Sequence, residues 1–242
     1  MNFANTRWSL ILRAAATDSE ESRAAFADLC EAYWYPLYAF VRRRGLSHDD
    51  AADLTQAFFV HLMEKQALRR ISPTYGRFRT FLLTSFKNFK SDVGDRARAK
   101  KRGGDQVRVP FDSDVLEHRY QASVTDEQDP ERLFERQWAL ALLDRAKVRL
   151  QHEYVSTGRA DEFATFAPYL VGAHGDVPYH RLGVEMGSTE AAVRVALHRF
   201  RRRFGLALRT EIAMTVDAPE DIDAELRFLL STLTGGSADP GI

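Results

Sequence analysis

The chain has 242 residues, 45% of them apolar, and its 34 Lys and Arg residues balance 34 Asp and Glu residues. This length and composition allow one or two domains with a buried core and argue against wholesale disorder. The single cysteine, Cys30, excludes an internal disulfide framework and a cysteine zinc site, and no run approaches the roughly 20 apolar residues of a membrane span. Without a recognisable signal peptide, the chain is expected to be cytoplasmic and to act away from membranes.

The net charge of zero is the sum of four consecutive charged blocks. Residues 77–103 contain nine basic and two acidic residues, whereas residues 105–135 contain nine acidic and three basic ones. Residues 194–209 then hold six arginines and no acid, and residues 211–225 hold six acids and no base. A basic block of this size is either a solvated helix face or an electrostatic footprint for nucleic acid. The residues around each basic block decide between a solvated helix face and a nucleic-acid footprint.

Apolar residues recur at helical spacing along nearly the whole chain, and no segment alternates as a β-strand does. We therefore predict an all-α fold that begins with a helical extension over residues 1–22. A longer helix over residues 26–41 contains Pro36, which is expected to kink or split it. Gly45 should end that helix, and Ser47 should begin the next one.

A second helical domain is predicted after an acidic linker. Residues 23–103 form the first domain, and residues 104–130 are polar and acidic without sustained periodicity, which predicts a flexible linker. The second domain is predicted over residues 131–209. An acidic C-terminal extension over residues 210–242 is expected to be partly disordered.

Residues 178–204 have the pattern of a helix-turn-helix. Gly187 and Ser188 make a tight turn, and Thr189 is placed to cap the following helix. In that helix an apolar face of Val, Leu and Phe alternates with an arginine-rich face that has no acid after Glu190. A second helix with these properties is typical of one that enters the major groove of DNA. The alternative is an ordinary αα-hairpin with a basic surface.

Residues 77–102 combine a phenylalanine stripe with basic and polar residues. Aromatic and cationic residues together suit single-stranded nucleic acid, because bases stack on rings while cations follow the backbone. The phenylalanines at positions 78, 81, 86 and 89 share the apolar face, however, so we expect them to pack in the core. The outward-facing polar side chains are then the candidates for contacts to DNA.

Together the two halves resemble the sigma-70 family of bacterial RNA polymerase sigma factors, in its extracytoplasmic-function group. The similarity to sigma domain 2 rests on FADLCEAYWYPLYAFVRRR, DDAADLTQAFFVHL and GRFRTFLLTSFKNFKSD. The similarity to sigma domain 4 is clearest in YHRLGVEMGSTEAAVRVALHRFRRR. The resemblance implies a non-enzymatic subunit without cofactors, which binds core RNA polymerase, recognises −10 and −35 promoter elements and promotes promoter opening.

The resemblance also implies three sets of site residues. Contacts to the −35 duplex would come from Ser188, Thr189, Arg194, His198, Arg199, Arg201 and Arg202. Contacts near the melted −10 strand would come from Lys87, Asn88, Lys90, Asp92 and Arg96. Docking on the clamp helices of the polymerase β′ subunit would involve Asp49, Asp50, Asp53, Gln56 and Phe59.

Two features depart from the family pattern. Ala52 and Ala57 stand where many relatives carry acids, so the docking surface has less negative charge. Thr55 lies between them, and we hypothesise that its phosphorylation restores the charge and switches polymerase binding on.

The acidic tail after residue 210 is hypothesised to fold over a basic surface and inhibit DNA binding. A Ser/Thr kinase and an anti-sigma factor are the candidate regulatory partners.

Two other classes of function are open alternatives. The chain contains none of the nucleotide-binding, zinc-protease or serine-hydrolase motifs, and His174 and His180 are a poor candidate pair for a metal, so neither catalysis nor a metal site is expected. A helix-turn-helix transcription regulator that is not a polymerase subunit remains the principal alternative. A helical adaptor that binds only proteins is a third.

Overall fold

The computed structural model describes residues 20–63, 77–97, 113–123, 129–170, 177–216 and 218–234. Within those ranges the prediction of an all-α fold is confirmed, since the only β pairing is an isolated antiparallel bridge between Arg77 and Val216. Of the helical extension predicted over residues 1–22, residues 1–19 lie outside the described residues.

The described residues form nine α-helices. In chain order they are α1 (Glu20–Arg43), α2 (His48–Met63), α3 (Phe78–Ala97), α4 (Ser113–Ser123), α5 (Pro130–Ser156), α6 (Ala160–Phe166), α7 (Tyr179–Glu185), α8 (Glu190–Ala213) and α9 (Asp221–Thr234). A single 3-10 turn, Ala167–Tyr169, follows α6.

The chain divides into two compact units. Unit 1 comprises residues 1–141 and 213–242, and unit 2 comprises residues 142–212. The division therefore falls within α5, and the C-terminal helix α9 belongs to unit 1. These boundaries differ from the expected domains, because the first turns of α5 and the extension after residue 213 belong with the N-terminal part of the chain.

The core of unit 1 is built largely from aromatic residues of α1, α3 and α5. Tyr33 stacks on Trp138 with ring centroids 3.9 Å apart, and Phe78 lies 5.8 Å from the same indole. Phe58 of α2 contacts Phe86 of α3 edge to face at 4.9 Å. Each buried aromatic side chain contributes about 1.5–3 kcal/mol, so these rings supply much of the stability of unit 1.

The α1 helix ends close to where its sequence predicts. It continues through Pro36 without splitting, so the expected division at that residue is wrong. Gly45 follows the helix with φ +89°, a conformation that a glycine adopts without strain. Ser47 then caps α2, because its Oγ accepts the backbone N–H of Asp50 at 3.1 Å.

The segment predicted to be a flexible linker contains helix α4, which packs in unit 1. Glu117 of α4 accepts hydrogen bonds from Arg42 at 2.6 and 3.1 Å and from the hydroxyl of Tyr38 at 2.8 Å. Leu116 is buried beside it, and the guanidinium of Arg119 lies 4.0 Å from the ring of Tyr35. The sequence pattern missed this helix because its stability comes from contacts with α1 rather than from periodicity.

Unit 2 is organised around one apolar cluster. Its members come from α5, α6, α7, α8 and the loop just before α7, and they are Leu150, Tyr154, Phe163, Phe166, Val177, Leu182, Val193, Leu197 and Phe200. Phe200 contacts Tyr154, Phe163 and Phe166 at 5.3 to 5.8 Å between ring centroids. This cluster fixes one face of α8 and leaves the opposite face to solvent.

Candidate nucleic-acid interface

The turn between α7 and α8 has the backbone geometry that its sequence predicts. Gly187 adopts φ +59°, and the N–H groups of Gly187 and Ser188 donate to the carbonyls of Val184 and Gly183 at 3.2 and 2.8 Å. This double hydrogen bond ends α7 as a Schellman motif, for which a residue with positive φ is required. A Cβ at Gly183 would lie 2.9 Å from the carbonyl oxygen of Ser188, so this position also requires glycine.

Helix α8 is capped and anchored as expected. The Oγ1 of Thr189 accepts the N–H of Ala192 at 3.2 Å, which satisfies one of the donors left open at the start of the helix. Val193, Leu197 and Phe200 are each at most 1% exposed. The two helices and their turn are therefore held by local caps and by the core of unit 2.

The opposite face of α8 presents cationic side chains to solvent. Arg194, His198, Arg199 and Arg202 are exposed, as are Ser188 and Thr189 at the start of the helix. No acid lies between Glu190 and Glu211 in the sequence. The arrangement is a basic strip along about two and a half turns of helix, which is suited to a polyanion.

Arg201 was predicted to contact DNA, but it points toward the protein. Its Nε and Nη2 both donate to the carbonyl oxygen of Tyr169, at 3.0 and 2.9 Å. This pair of hydrogen bonds ties α8 to the 3-10 turn after α6. We therefore assign Arg201 a structural contact, because two of its donor groups are already bound within unit 2.

Arg203, absent from the predicted set, is paired within unit 2 at the surface. Its Nη1 donates to Glu153 at 2.6 Å, and its guanidinium lies 5.7 Å from the ring of Tyr154. Neither contact is predictable from local sequence, since the partners lie 32 and 50 residues away from the arginines. The basic face is consequently narrower than the count of arginines implies.

Helix α3 carries the predicted −10 residues. Asn88 is exposed, whereas Lys87 forms an ion pair with Glu131 of α5 at 2.7 Å. Burial and the nearby charge of Arg44 lower the pKa of Lys90. Asp92 and Arg96 also lie on α3, but their side chains are outside the described residues.

The ion pair between Lys87 and Glu131 goes with a lowered pKa of the Glu131 carboxyl. Burial alone would raise the pKa of the Glu131 carboxyl, but hydrogen bonds from Lys87 and from the backbone outweigh it and lower that pKa to about 2. A ligand that uses Lys87 must therefore compete with a carboxylate for the ammonium group.

The phenylalanines of α3 are core residues, as expected. Phe78, Phe81 and Phe86 are at most 6% exposed, and half-buried Phe89 stacks on His61 with ring centroids 5.0 Å apart. These rings are not available to stack on bases. Any contact between α3 and nucleic acid would use polar side chains.

The predicted polymerase-docking residues of α2 do not share one environment. Asp49 and Asp53 are exposed, and Asp50 accepts a hydrogen bond from Ser47 Oγ at 2.6 Å as part of the helix cap. Gln56 is half-buried. Phe59 is 3% exposed, so its expected role on an outer surface is corrected to a core contact.

Thr55 is buried rather than exposed. It has no accessible surface, and its Oγ1 donates to the carbonyl of Ala51 at 2.7 Å. The hypothesis that Thr55 is phosphorylated requires an exposed hydroxyl, and the structure does not provide one, because Ala51, Thr55 and Phe58 share the inner face of α2. A kinase could reach this hydroxyl only if the helix opened.

Neither a metal site nor a membrane span is found in the part of the chain that the structure describes. No group of three His, Cys, Asp or Glu side chains is arranged to hold a metal ion there. Among the same residues, no helix is long and apolar enough to cross a bilayer. His180 is described and exposed, whereas His174 lies outside the described residues.

Comparison with known proteins does not assign this chain to a family. No protein-family model, no curated protein and no solved structure matches it.

Proposed function

We propose that this protein is a sigma-type subunit of bacterial RNA polymerase, which binds promoter DNA and starts transcription in the cytoplasm without catalysing a reaction itself. The observation that carries the proposal is the exposed basic face of α8 at the end of a capped helix-turn-helix. Duplex DNA carries one negative charge per roughly 1.7 Å of its axis, and arginines on a rigid helix can neutralise phosphates or donate to guanine.

The geometry of unit 2 supports duplex recognition by α8. The helix begins at an exposed residue, and its first three turns carry Arg194 and His198 on the solvent side. In a groove-binding helix the N-terminal side chains reach base edges and later cationic ones contact the backbone. On this proposal Arg199 and Arg202 supply phosphate contacts on the −35 element.

Unit 1 would supply the contacts to opened DNA. Asn88 is exposed on α3, and Lys90 lies near it in the sequence with a partly buried ammonium. Because the phenylalanines face inward, an unpaired base would have to be held by hydrogen bonds and charge. The proposal therefore assigns the −10 strand to polar residues on the outer face of α3.

The N-terminal part of α2 would dock on core polymerase. Asp49 and Asp53 are exposed carboxylates close together in sequence, and they present negative charge to a partner. Charged surfaces of this kind set partner choice and association rate more than total affinity. The expected partner surface is the clamp helices of the β′ subunit.

The proposal is tested by copurification and transcription. Full-length protein is mixed with bacterial core RNA polymerase, passed over a sizing column, and assayed for transcription on genomic fragments. We expect comigration with core enzyme and new initiation sites. The double variant Asp49→Asn, Asp53→Asn should comigrate less, whereas the matched control Asp144→Asn, an exposed acid of α5, should not change.

Other outcomes would point elsewhere. Salt-dependent duplex binding without comigration would favour a transcription regulator that is not a polymerase subunit. Comigration with no duplex binding under any salt condition, even by the complex with core enzyme, would favour a protein-binding adaptor. Either result contradicts the proposed function.

A further inference from the structure

Arg194, near the start of α8, is held in place on two sides. Its Nε and Nη2 both donate to Oε1 of Glu190, at 3.2 and 2.6 Å. Its guanidinium carbon lies 4.2 Å from the centre of the Tyr179 ring on α7. Both the edge and one face of the guanidinium are therefore fixed, although the side chain stays 58% exposed.

This arrangement leaves specific atoms for a ligand. Within the described residues, the Nη1 group of Arg194 and the Oε2 atom of Glu190 have no hydrogen-bond partner. The two side chains lie one helical turn apart, so they belong to the same face of α8. The Nη1 donor of Arg194 and the Oε2 acceptor of Glu190 therefore lie together near the start of α8, the helix that the proposed function places in the major groove.

We propose that Glu190 and Arg194 act as one unit that recognises a guanine beside a cytosine in the major groove, and that Tyr179 positions the arginine. This inference rests on the proposed function and names the bases that its duplex-binding helix selects. Arg194 donates to the guanine through its Nη1 end. Oε2 of Glu190 accepts from the N4 amino group of the neighbouring cytosine, which offers a donor in the major groove without the adjacent N7 acceptor that adenine presents.

The charge of Glu190 gives this pairing its selectivity. The carboxylate of Glu190 repels the DNA phosphates, so it weakens nonspecific binding. The cost of bringing this charge into the groove is offset only where a base donates a hydrogen bond to it. Guanine and thymine edges present acceptors at the corresponding position and leave the carboxylate unpaired. Stacking on Tyr179 reduces the rotamer freedom that Arg194 would otherwise lose on binding DNA.

The test is selection from a randomised duplex DNA library by the full-length chain, followed by sequencing. For the wild type we expect a motif that contains the guanine and its adjacent cytosine. In Glu190→Gln the cytosine preference should fall roughly tenfold and shift toward adenine, because an amide pairs with adenine N6 and N7. The matched control is Glu185→Gln, which removes the other exposed i,i+4 acid of the helix-turn-helix, paired with Arg181 at 3.3 Å.

Variants of Tyr179 test the positioning role. Tyr179→Ala should reduce discrimination at the guanine roughly tenfold, whereas Tyr179→Phe keeps the ring and should restore it. A merely structural tyrosine would change total affinity without changing the ratio between bases.

The outcomes separate this inference from the proposed function. Salt-dependent duplex binding with an unchanged motif in Glu190→Gln would overturn the inference and leave the proposed function standing. Absence of duplex binding by the wild type, both alone and in complex with core polymerase, would overturn both. A cytosine preference that falls equally in Glu185→Gln would also count against the inference.

Discussion

Glu225 of α9 and Arg79 of α3 form a buried ion pair between positions 146 residues apart in the chain. Oε1 of Glu225 accepts from Nε of Arg79 at 2.8 Å, and the carboxylate side chain is 1% exposed. The guanidinium also lies 3.6 Å from the ring of Phe228. The acidic C-terminal extension therefore meets the first basic block, at the start of α3, through a contact within unit 1.

Backbone hydrogen bonding joins the same two segments. The N–H of Phe78 donates to the carbonyl of Thr215 at 3.1 Å, beside the bridge between Arg77 and Val216. The other oxygen of Glu225 lies 3.3 Å from Nε of Arg77, close enough for Coulomb attraction but without hydrogen-bond alignment. The hypothesis that the tail folds over a basic surface agrees with these contacts, whereas its inhibition of DNA binding stays a prediction.

Removing the carboxylate should destabilise unit 1. We expect Glu225→Ala to lower the free energy of unfolding by about 3–5 kcal/mol, because Arg79 is left as a buried charge with only the longer contact to Glu135. Trp34 and Trp138, the tryptophans among the described residues, belong to unit 1, so urea unfolding followed by tryptophan fluorescence measures this unit.

The control for that experiment is Glu220→Ala, which removes an exposed acid just before α9. It should change the unfolding free energy by less than about 0.5 kcal/mol. Equal losses of unfolding free energy in the two variants would show that the net negative charge of the extension, and not the buried Arg79–Glu225 pair, stabilises its contact with α3.

A glutamate at position 55 should unfold α2 rather than mimic a phosphate. Thr55→Glu places an unpaired carboxylate where no solvent reaches, and we expect a loss of about 3 kcal/mol or more. Thr55→Val keeps the shape and removes only the hydroxyl bonded to Ala51, so its cost should be about 1 kcal/mol. Unfolding monitored by tryptophan fluorescence distinguishes them, and a fully stable Thr55→Glu protein would contradict the buried environment.

Local features of the candidate site could be predicted from sequence because short-range geometry fixes them. Gly187 supplies the positive φ of the turn, Thr189 caps α8, and the spacing of Val193, Leu197 and Phe200 sets the buried face. Each of these depends on residues within about one or two turns of helix.

The features that sequence missed depend on distant partners. Helix α4 is stabilised by Arg42 and Tyr38, which lie 75 and 79 residues before Glu117. Arg201 was assigned to DNA because nothing nearby in sequence marks the carbonyl of Tyr169 as its acceptor. The burial of Thr55 does not depend on distant partners. Thr55 lies four residues after Ala51 and three before Phe58, and this helical spacing by itself predicts the inner face of α2.

The contact between α4 and α1 should make the stability of unit 1 depend on acid. The hydrogen bond from Arg42 holds the pKa of Glu117 below its ordinary value of 4.5, against the opposing effect of burial. A carboxyl with a lowered pKa stabilises the folded state fully above its unfolded pKa, and this contribution is lost as the pH falls through the folded pKa. The stabilisation should therefore be constant above about pH 5 and decline below pH 4.5.

Comparison with Glu117→Gln isolates this effect. Unfolding free energies measured from pH 7 to pH 3 should differ between wild type and variant by a constant amount at high pH, and the difference should shrink below pH 4.5. Nδ1 of His48 lies 3.6 Å from the same carboxylate and is present in both proteins. A difference that is independent of pH would contradict the ionised Arg42–Glu117 pair.

Arg201 and Arg202 are adjacent in sequence, but replacing Arg202 should affect duplex binding, whereas replacing Arg201 should affect the stability of unit 2. Arg202 is exposed, so Arg202→Ala should weaken duplex binding and reduce the slope of log affinity against log salt by about 1, with little change in thermal unfolding. Arg201→Ala loses two hydrogen bonds to the carbonyl of Tyr169 and should lower the stability of unit 2 by about 1.5–3 kcal/mol while the salt slope is kept. Fluorescence anisotropy with a labelled duplex at several salt concentrations gives the slope, and circular dichroism gives the stability. Identical salt slopes in the two variants would show that both arginines contact DNA phosphates or that neither does, because only the inward orientation of Arg201 separates them.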